Sequence, residues 1–429
     1  MDLKDRIYAL SSIWMNAKDV FPYFGREEFD WDEAYRKFIP QLLEERGDLE
    51  VWLTLMEFTR LLNDGHSTVI PPKALTLQYG VFPFRLMQLG GRFVITEAVC
   101  EDHLLREALG IDEYDMRSLL EMLDRLQYTS NGHPYCGRLE KQLPLLLPGK
   151  THVLHTDAGD IPFTMESPGE MKRAPEPAAS ETPTVLSDEV SLFGGGILCV
   201  KTSDFQHPER ADRFSELLSL HKPKAVIFDV RRNIGGMTLC SARYAQPFFV
   251  GSLSGCRKWT QERKGCDAAE AAQLARMSDS RLDRLVSEGL LTREGVEQSR
   301  SYINRTHYAF YCDNWEGAVG FNSDRPVIVL TSRDTISAAE DFVCFFKSNA
   351  RGKIMGETTF GSTGSPLVFR LPEGGLAQIV SVGYTLLDGT PFIGKGIEPD
   401  IPLTPDIGDF RAGRDTLLEK ALETARSFV

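Results

Sequence analysis

Ser337 is the residue in this sequence best placed to act as a nucleophile. It opens Ser337-Ala-Ala-Glu340 and follows a short apolar, β-branched run, Val327 to Leu330. An apolar stripe at helical spacing comes next, so the pattern predicts a buried strand, a polar turn and a helix with Ser337 in its first turn. Unpaired backbone N–H groups and the positive end of the helix dipole meet there and can stabilise a developing oxyanion. The stripe consists of Ala339, Phe342, Val343 and Phe346.

The stretch Ser337-Ala-Ala-Glu340 also forms a capping box, S-x-x-E, in front of an apolar run. In this interpretation Ser337 is a structural cap and carries no chemistry. Asp334 and Thr335 lie just upstream and could cap the helix themselves, which weakens the need for Ser337 in that role. The stretch by itself leaves both interpretations open.

His66 lies on a predicted loop that emerges from a helix. It lies in Asp64-Gly-His-Ser67, a turn that follows a predicted helix, Asp48 to Leu62, and precedes an extended segment. A lone loop histidine is usually only solvated, and any further role depends on the partner that the fold brings to it.

Gly235 and Gly236 are candidates for a close backbone approach to a ligand. They follow the predicted buried strand Ala225 to Val230. Paired glycines at the carboxyl end of a strand let the backbone adopt unusual φ values, come close to a ligand and expose N–H groups.

The composition describes an ordinary soluble protein. The chain has 429 residues, long enough for two to four domains, with 42% hydrophobic and 25% charged residues. It contains no uninterrupted apolar run of about 18 residues that could span a bilayer. The N-terminus lacks the basic and apolar regions of a signal peptide, so we expect a cytoplasmic protein that does not associate with membranes.

Charge and cysteine usage exclude other classes. A formal net charge of -13 argues against nucleic acid as a partner, because phosphate binding requires clustered Lys and Arg. The eight cysteines are scattered without a C-x-x-C, which indicates neither a zinc ribbon nor a disulfide framework. His152 and His155 are predicted to point to opposite faces of a strand, so they should not share a metal. We expect no metal and no cofactor.

The pattern of elements divides the chain. Helical periodicity dominates residues 1–72, extended runs dominate 73–167, and a Pro-, Ala- and Glu-rich stretch at 168–188 reads as a linker. From 189 to 429 short buried strands alternate with helices, which predicts an α/β core with a charged, mostly helical insertion at about 251–318.

Five segments, in this order, resemble motifs of the S41 serine peptidases, the family of C-terminal processing peptidases and tricorn-type proteases. The resemblance implies a ClpP/crotonase-like α/β core. It makes Ser337 the nucleophile and assigns the N–H groups of Ala338, Gly235 and Gly236 to the oxyanion hole. The segments are Asp64-Gly-His-Ser67, Asp229-x-Arg231-x-Asn233-x-Gly-Gly236, Thr335-x-Ser-Ala-Ala-Glu340, Gly356-x-Thr-x-Phe-Gly361 and Gly396-Ile-x-Pro-Asp400.

The resemblance also bears on the base and the third group. Processing peptidases place a lysine after Thr-Phe-Gly, where this chain has Ser362, so a Ser–Lys dyad is excluded at that position. The tricorn-like branch brings a histidine from the N-terminal domain, which His66 matches, although Gly65 stands where tricorn has a serine. The third catalytic group is then Asp388, with Glu398 as the alternative.

The function implied is that of a hydrolase, a serine peptidase acting on peptides or unfolded proteins through a Ser337 acyl-enzyme with His66 as general base. A catalytically silent S41-like protein that binds peptides or apolar ligands in the same cleft is the alternative. Residues 73–167 occupy the place of a PDZ domain but lack a clear carboxylate-binding loop, so they are either a degenerate PDZ-like unit or a spacer that positions the core. Homo-oligomerisation is left open. An imidazole base with an ordinary pKa predicts activity that rises between about pH 6 and 7.5.

Overall fold

Three capped amphipathic helices open the chain. The computed structural model describes residues 1–428 apart from 25–29, 131, 135–136, 148, 263–267, 304–307 and 319. Asp2 and Asp30 accept hydrogen bonds from first-turn N–H groups of the first two helices. The helices predicted from periodicity are confirmed, and the last of them ends just before His66. They are α1 (Leu3–Val20), α2 (Trp31–Leu43) and α3 (Asp48–Arg60), and β1 (Thr68–Ile70) follows the histidine.

The next unit is a twisted antiparallel sheet with its own buried core. Its strand order is β10-β3-β4-β8-β9, with β2 on β3 and β5 on β4. The extended runs predicted for residues 73–167 are confirmed as short strands, and α6 was not predicted. The elements are α4 (Lys73–Thr76), β2 (Phe84–Leu89), β3 (Arg92–Ala98), β4 (Glu107–Ile111), β5 (Tyr114–Asp115), α5 (Met116–Asp124), β6 (Thr129–Ser130), β7 (His133–Pro134), α6 (Arg138–Leu146), β8 (Thr151–Thr156), β9 (Ile161–Thr164) and β10 (Lys172–Arg173).

The stretch predicted to be a linker is anchored at both ends. Its first strand, β10, pairs with β3, and β11 (Thr184–Val185) pairs with β12 (Val190–Phe193). Between them Ala178 forms a bridge to Arg414. Backbone pairing therefore holds a segment whose composition offers no apolar face.

A seven-stranded sheet forms the α/β core, in the order β11-β12-β13-β14-β19-β20-β24, with its last five strands parallel. Val327 and Val329 pack with the cluster around Phe342 on one face, while Ile328 and Leu330 pack with the C-terminal helix on the other. The prediction of strands buried on both faces is confirmed. The core elements are β13 (Ile197–Lys201), α7 (Pro208–His221), β14 (Ala225–Asp229), α8 (Thr238–Ala245), β19 (Val327–Thr331), α12 (Ala338–Ser348), β20 (Lys353–Gly356), β24 (Ile401–Pro402), α13 (Ile407–Arg411) and α14 (Thr416–Ser427).

The insertion contains strands as well as the predicted helices. Its strand β16 pairs with β17 and with β23, and β1 pairs with β22, which ties both the insertion and the N-terminal unit to the core. Among the described residues no helix is long and apolar enough to cross a membrane. The elements of the insertion are β15 (Gly251–Leu253), β16 (Cys256–Gln261), α9 (Ala268–Ala275), α10 (Asp279–Ser287), α11 (Arg293–Ile303), β17 (Tyr308–Cys312) and β18 (Trp315–Ala318). The strands that follow β20 are β21 (Pro366–Arg370), β22 (Leu376–Val380) and β23 (Gly383–Leu386).

Candidate active site

Ser337 lies at the N-cap position of α12, but it does not cap the helix. Its side chain makes no cap hydrogen bond, and Glu340 does not reach back to the cap. Asp334 contacts His133 instead, and Thr335 donates to the Val230 carbonyl. The capping-box interpretation is therefore wrong for this structure, and so is capping by the two upstream residues.

The backbone of Ser337 is strained. Its φ of 61° and ψ of -131° lie in a region that residues with a Cβ rarely adopt. Such a conformation costs about 1–3 kcal/mol and persists only where surrounding contacts impose it. Here the Ser337 N–H donates to the Ser362 carbonyl at 3.0 Å, and the Ser337 carbonyl accepts from the Glu340 N–H at 2.7 Å. These contacts hold the Ser337 hydroxyl at the start of α12, where it makes no cap hydrogen bond.

The glycine turn packs directly against this serine. A Cβ added to Gly235 would lie 2.6 Å from the Ser337 Cβ and 2.9 Å from the Ala338 nitrogen. The Gly235 N–H already donates to the Asn233 side-chain oxygen at 2.9 Å. In the part of the chain that the structure describes, the N–H groups of Gly236 and Ala338 have no acceptor. Two of the three predicted oxyanion donors are therefore unpaired among the described residues, and the third is paired with Asn233.

We expect Gly235→Ala to abolish turnover that depends on Ser337. The added methyl meets Ser337 and the Ala338 backbone below 3 Å, at a φ of 92° that alanine does not tolerate. Displacing one oxyanion donor alone costs about 10²–10³-fold in turnover, so a loss of at least that size should appear in kcat. Gly374→Ala, at a positive φ in open space, is the matched control. Equal kcat values for Gly235→Ala and Gly374→Ala would contradict the claim that the packing of Gly235 against Ser337 matters for turnover.

His66 is buried, only 6% exposed, on the loop after α3. Asp64 builds this loop by accepting the backbone N–H groups of His66 and Ser67 at 2.9 and 2.8 Å. The ring nitrogen Nδ1 lies 2.6 Å from the Ser362 hydroxyl. Burial, and then the nearby Arg138 guanidinium, lower the pKa of His66 to about 3. The ring is thus neutral over the whole physiological range, a state in which it can accept a proton.

Ser362 joins the two halves of the site. Its hydroxyl contacts the ring of His66, and its carbonyl accepts the N–H of Ser337. The loop between β20 and β21 therefore contacts both residues that the sequence analysis proposed as base and nucleophile, although these lie far apart in the sequence.

Among the described residues, neither predicted third acid makes a hydrogen bond to His66 or Ser337. Asp388 lies in an exposed turn, where it accepts the N–H of Thr390 at 2.8 Å, and the adjacent Leu387 N–H donates to Ser348 at the far end of α12. Eleven helical residues, about 16 Å, separate that end from Ser337. Glu398 is exposed and lines a cavity with Lys395 and Arg333 that also reaches Thr359 and Phe360 of the loop that carries Ser362.

Glu340 is a site residue that sequence reasoning missed. It is fully buried, and its carboxylate accepts the Thr359 hydroxyl at 2.5 Å and the N–H groups of Gly361 and Ser362 at 2.7 and 2.8 Å. Burial raises its pKa to about 7 despite these three hydrogen bonds. The carboxylate clamps the loop that carries Ser362 onto the first turn of α12.

The raised pKa of Glu340 predicts a pH-dependent stability. A carboxyl whose folded pKa lies above its unfolded value of 4.5 favours the folded state at low pH, and that contribution is lost as pH rises from 4.5 through 7. The shift corresponds to roughly 3 kcal/mol.

We expect the unfolding free energy of Glu340→Gln to change less than that of the wild type between pH 5 and 8 in urea titrations, with exposed Glu398→Gln as control. His66 has a lowered pKa and acts in the opposite direction below pH 6.5, in both proteins alike. Parallel pH curves for the wild type and Glu340→Gln would refute the assignment.

Comparison with known sequences places the matching segment in the core. The profile of Peptidase family S41 matches residues 196–403. The carboxyl-terminal-processing protease of Picosynechococcus sp. is 34% identical over 149 residues, which cover 32% of this chain and 35% of that protein. The chloroplastic C-terminal processing peptidase of Tetradesmus obliquus is 33% identical over 133 residues, 29% of each chain. The aligned part thus spans about a third of these relatives.

Comparison of structures extends over almost the whole chain. Mature CPAF, in its complex with lactacystin, superposes with a TM-score of 0.71 and covers 99% of this chain and 98% of its own, at 14% identity. The likeness shows that the two chains share a fold. It covers the N-terminal part of this chain, which includes the helices that precede His66. The predicted α/β core with N-terminal helical and β-rich units is confirmed at that level.

Proposed function

We propose that the chain, whose residues 196–403 match peptidase family S41, is a serine peptidase that cleaves peptide bonds through an acyl-enzyme on Ser337. One observation carries the proposal. A strained serine at a helix start is packed against a glycine turn and joined, through a single shared residue, to a buried neutral histidine. Nucleophile, base and oxyanion donors are the parts that acyl transfer requires.

In the proposed reaction the Ser337 hydroxyl attacks the carbonyl carbon of the substrate while His66 takes its proton. The N–H groups of Gly236 and Ala338 receive the negative charge on the carbonyl oxygen. His66 then returns the proton to the leaving amine, and a water molecule, deprotonated in the same way, releases the acyl group. A histidine base is the feature that would assign the chain to the tricorn-like branch, and Ser362 at the lysine position supports this part of the proposal.

An edge strand leads from this site to a cavity that suits an extended peptide. Strand β1 begins two residues after His66 and, among the described residues, pairs only with β22. Beside it lies a cavity of about 460 Å³ lined by Val69, Ile70 and residues of α6. An extended chain can add to a sheet edge through its backbone, which favours a peptide or unfolded protein as substrate. Cytoplasmic location and homo-oligomerisation remain proposals from the sequence.

The test is hydrolysis of a disordered protein substrate at pH 7.5, followed by sequencing of the new N-termini. We expect cleavage that a fluorophosphonate blocks, and unchanged rates in Asp388→Asn and Glu398→Gln, since among the described residues neither carboxylate makes a hydrogen bond to His66. The second candidate function is peptide binding without hydrolysis. It is favoured by the lack of such a hydrogen bond from either predicted acid, and it would be supported if the substrate stayed bound and intact.

A further inference from the structure

We propose that Ser362 is a residue that positions the His66 ring, in the role that a carboxylate fills in Ser–His–Asp triads. The inference rests on the proposed function, and it adds a positioning residue to that site. Its basis is the 2.6 Å contact between the Ser362 hydroxyl and Nδ1 of His66, made where both side chains are buried.

A base needs one ring nitrogen fixed and the other left with its lone pair. A hydrogen bond donated by Nδ1–H to the Ser362 oxygen selects the tautomer whose Nε2 accepts a proton. The carboxylate of Asp64 binds the backbone of His66 and Ser67, so it shapes the loop. Ser362 acts on the ring itself.

Ser362 is held firmly enough for this role. Its N–H donates to Glu340, its carbonyl accepts from Ser337, and its hydroxyl leaves no space for a Cβ on Gly65, which would lie 2.8 Å away. The same residue therefore sets the position of the ring and the backbone of the nucleophile. A loop fixed on three sides limits how far the ring can move from its working geometry.

A hydroxyl differs from a carboxylate in one measurable respect. It orients the ring but adds no negative charge to stabilise the imidazolium that forms when the proton is taken. Introducing a carboxylate at this position should therefore raise the affinity of His66 for a proton, and removing the hydroxyl should free the ring.

The experiment compares Ser362→Ala and Ser362→Asp with Thr363→Val, which removes the neighbouring buried hydroxyl that donates to Asp341 and does not touch His66. We expect kcat of Ser362→Ala to fall on the order of 10²-fold with KM unchanged. In Ser362→Asp the low-pH limb of kcat/KM should move toward neutrality. Thr363→Val should show neither effect.

Nitrogen-15 NMR of the imidazole, assigned with His66→Gln, gives a readout that needs no turnover. We expect the Nδ1–H tautomer of His66 in the wild type and a mixture of tautomers in Ser362→Ala. Wild-type kcat together with an unchanged tautomer in folded Ser362→Ala would overturn the inference. A wild type that shows the Nδ1–H tautomer but never cleaves would instead refute the proposed peptidase function and leave the His66–Ser362 contact standing.

Discussion

Ser337→Ala is expected to abolish peptide hydrolysis, with a loss of kcat on the order of 10⁴–10⁶-fold, because no acyl-enzyme can form without the hydroxyl. The fold should survive, since the Ser337 side chain makes no cap hydrogen bond and the change falls within about 1 kcal/mol. Turnover of a peptide substrate and urea unfolding measure the two effects separately.

Ser337→Gly serves as the matched variant for the backbone strain. Glycine tolerates a φ of 61°, so this variant should be equally inactive yet more stable than Ser337→Ala, by about 1 kcal/mol. If Ser337→Ala unfolded while Ser337→Gly did not rescue stability, the residue would be structural after all.

His66→Gln should lower kcat/KM by about 10³–10⁴-fold, because the remaining donors stabilise the oxyanion but nothing takes the proton. The pH profile of the wild type should differ from that expected from an ordinary imidazole. With the pKa of His66 lowered to about 3, the ring is already neutral at pH 6, and the limb that it causes lies far below the range of 6 to 7.5 predicted from the sequence.

Arg138→Gln tests this explanation, because removing the cation should raise the pKa of His66 and move that limb upward. Any limb near pH 7 should come from Glu340, whose pKa lies there, and should disappear in Glu340→Gln. A rise of activity centred near pH 6.5 that is lost in His66→Gln and unaffected in Glu340→Gln would contradict the burial argument.

Local pattern predicted the elements that bear the site well. The β-branched run Val327 to Leu330 and the stripe after Ser337 each have one strong period, and the structure contains that strand and helix. The turn after β14 was placed by its glycines. These features depend on residues close in sequence, and therefore a single sequence is enough to predict them.

The contacts that complete the site are long-range, and local pattern misled there. Glu340 has the spacing of a capping box, yet its partners lie in the loop from Thr359 to Ser362, which no local rule could indicate. Asp388 was chosen for its proximity in sequence to the last motif. Strand β23 carries it into the sheet of the insertion, away from the pair. Burial of His66 likewise follows from packing between units, and it changes the expected pH range.

Mapping the covalent adduct of a fluorophosphonate by mass spectrometry tests the central claim most directly. The wild type should carry one adduct, on the peptide that contains Ser337, and the label should be lost in Ser337→Ala and greatly slowed in His66→Gln. Thr363→Val, with the site residues intact, should label as the wild type does. An adduct on Ser362 or another residue, or a wild type that cleaves peptides without ever labelling at Ser337, would contradict the account.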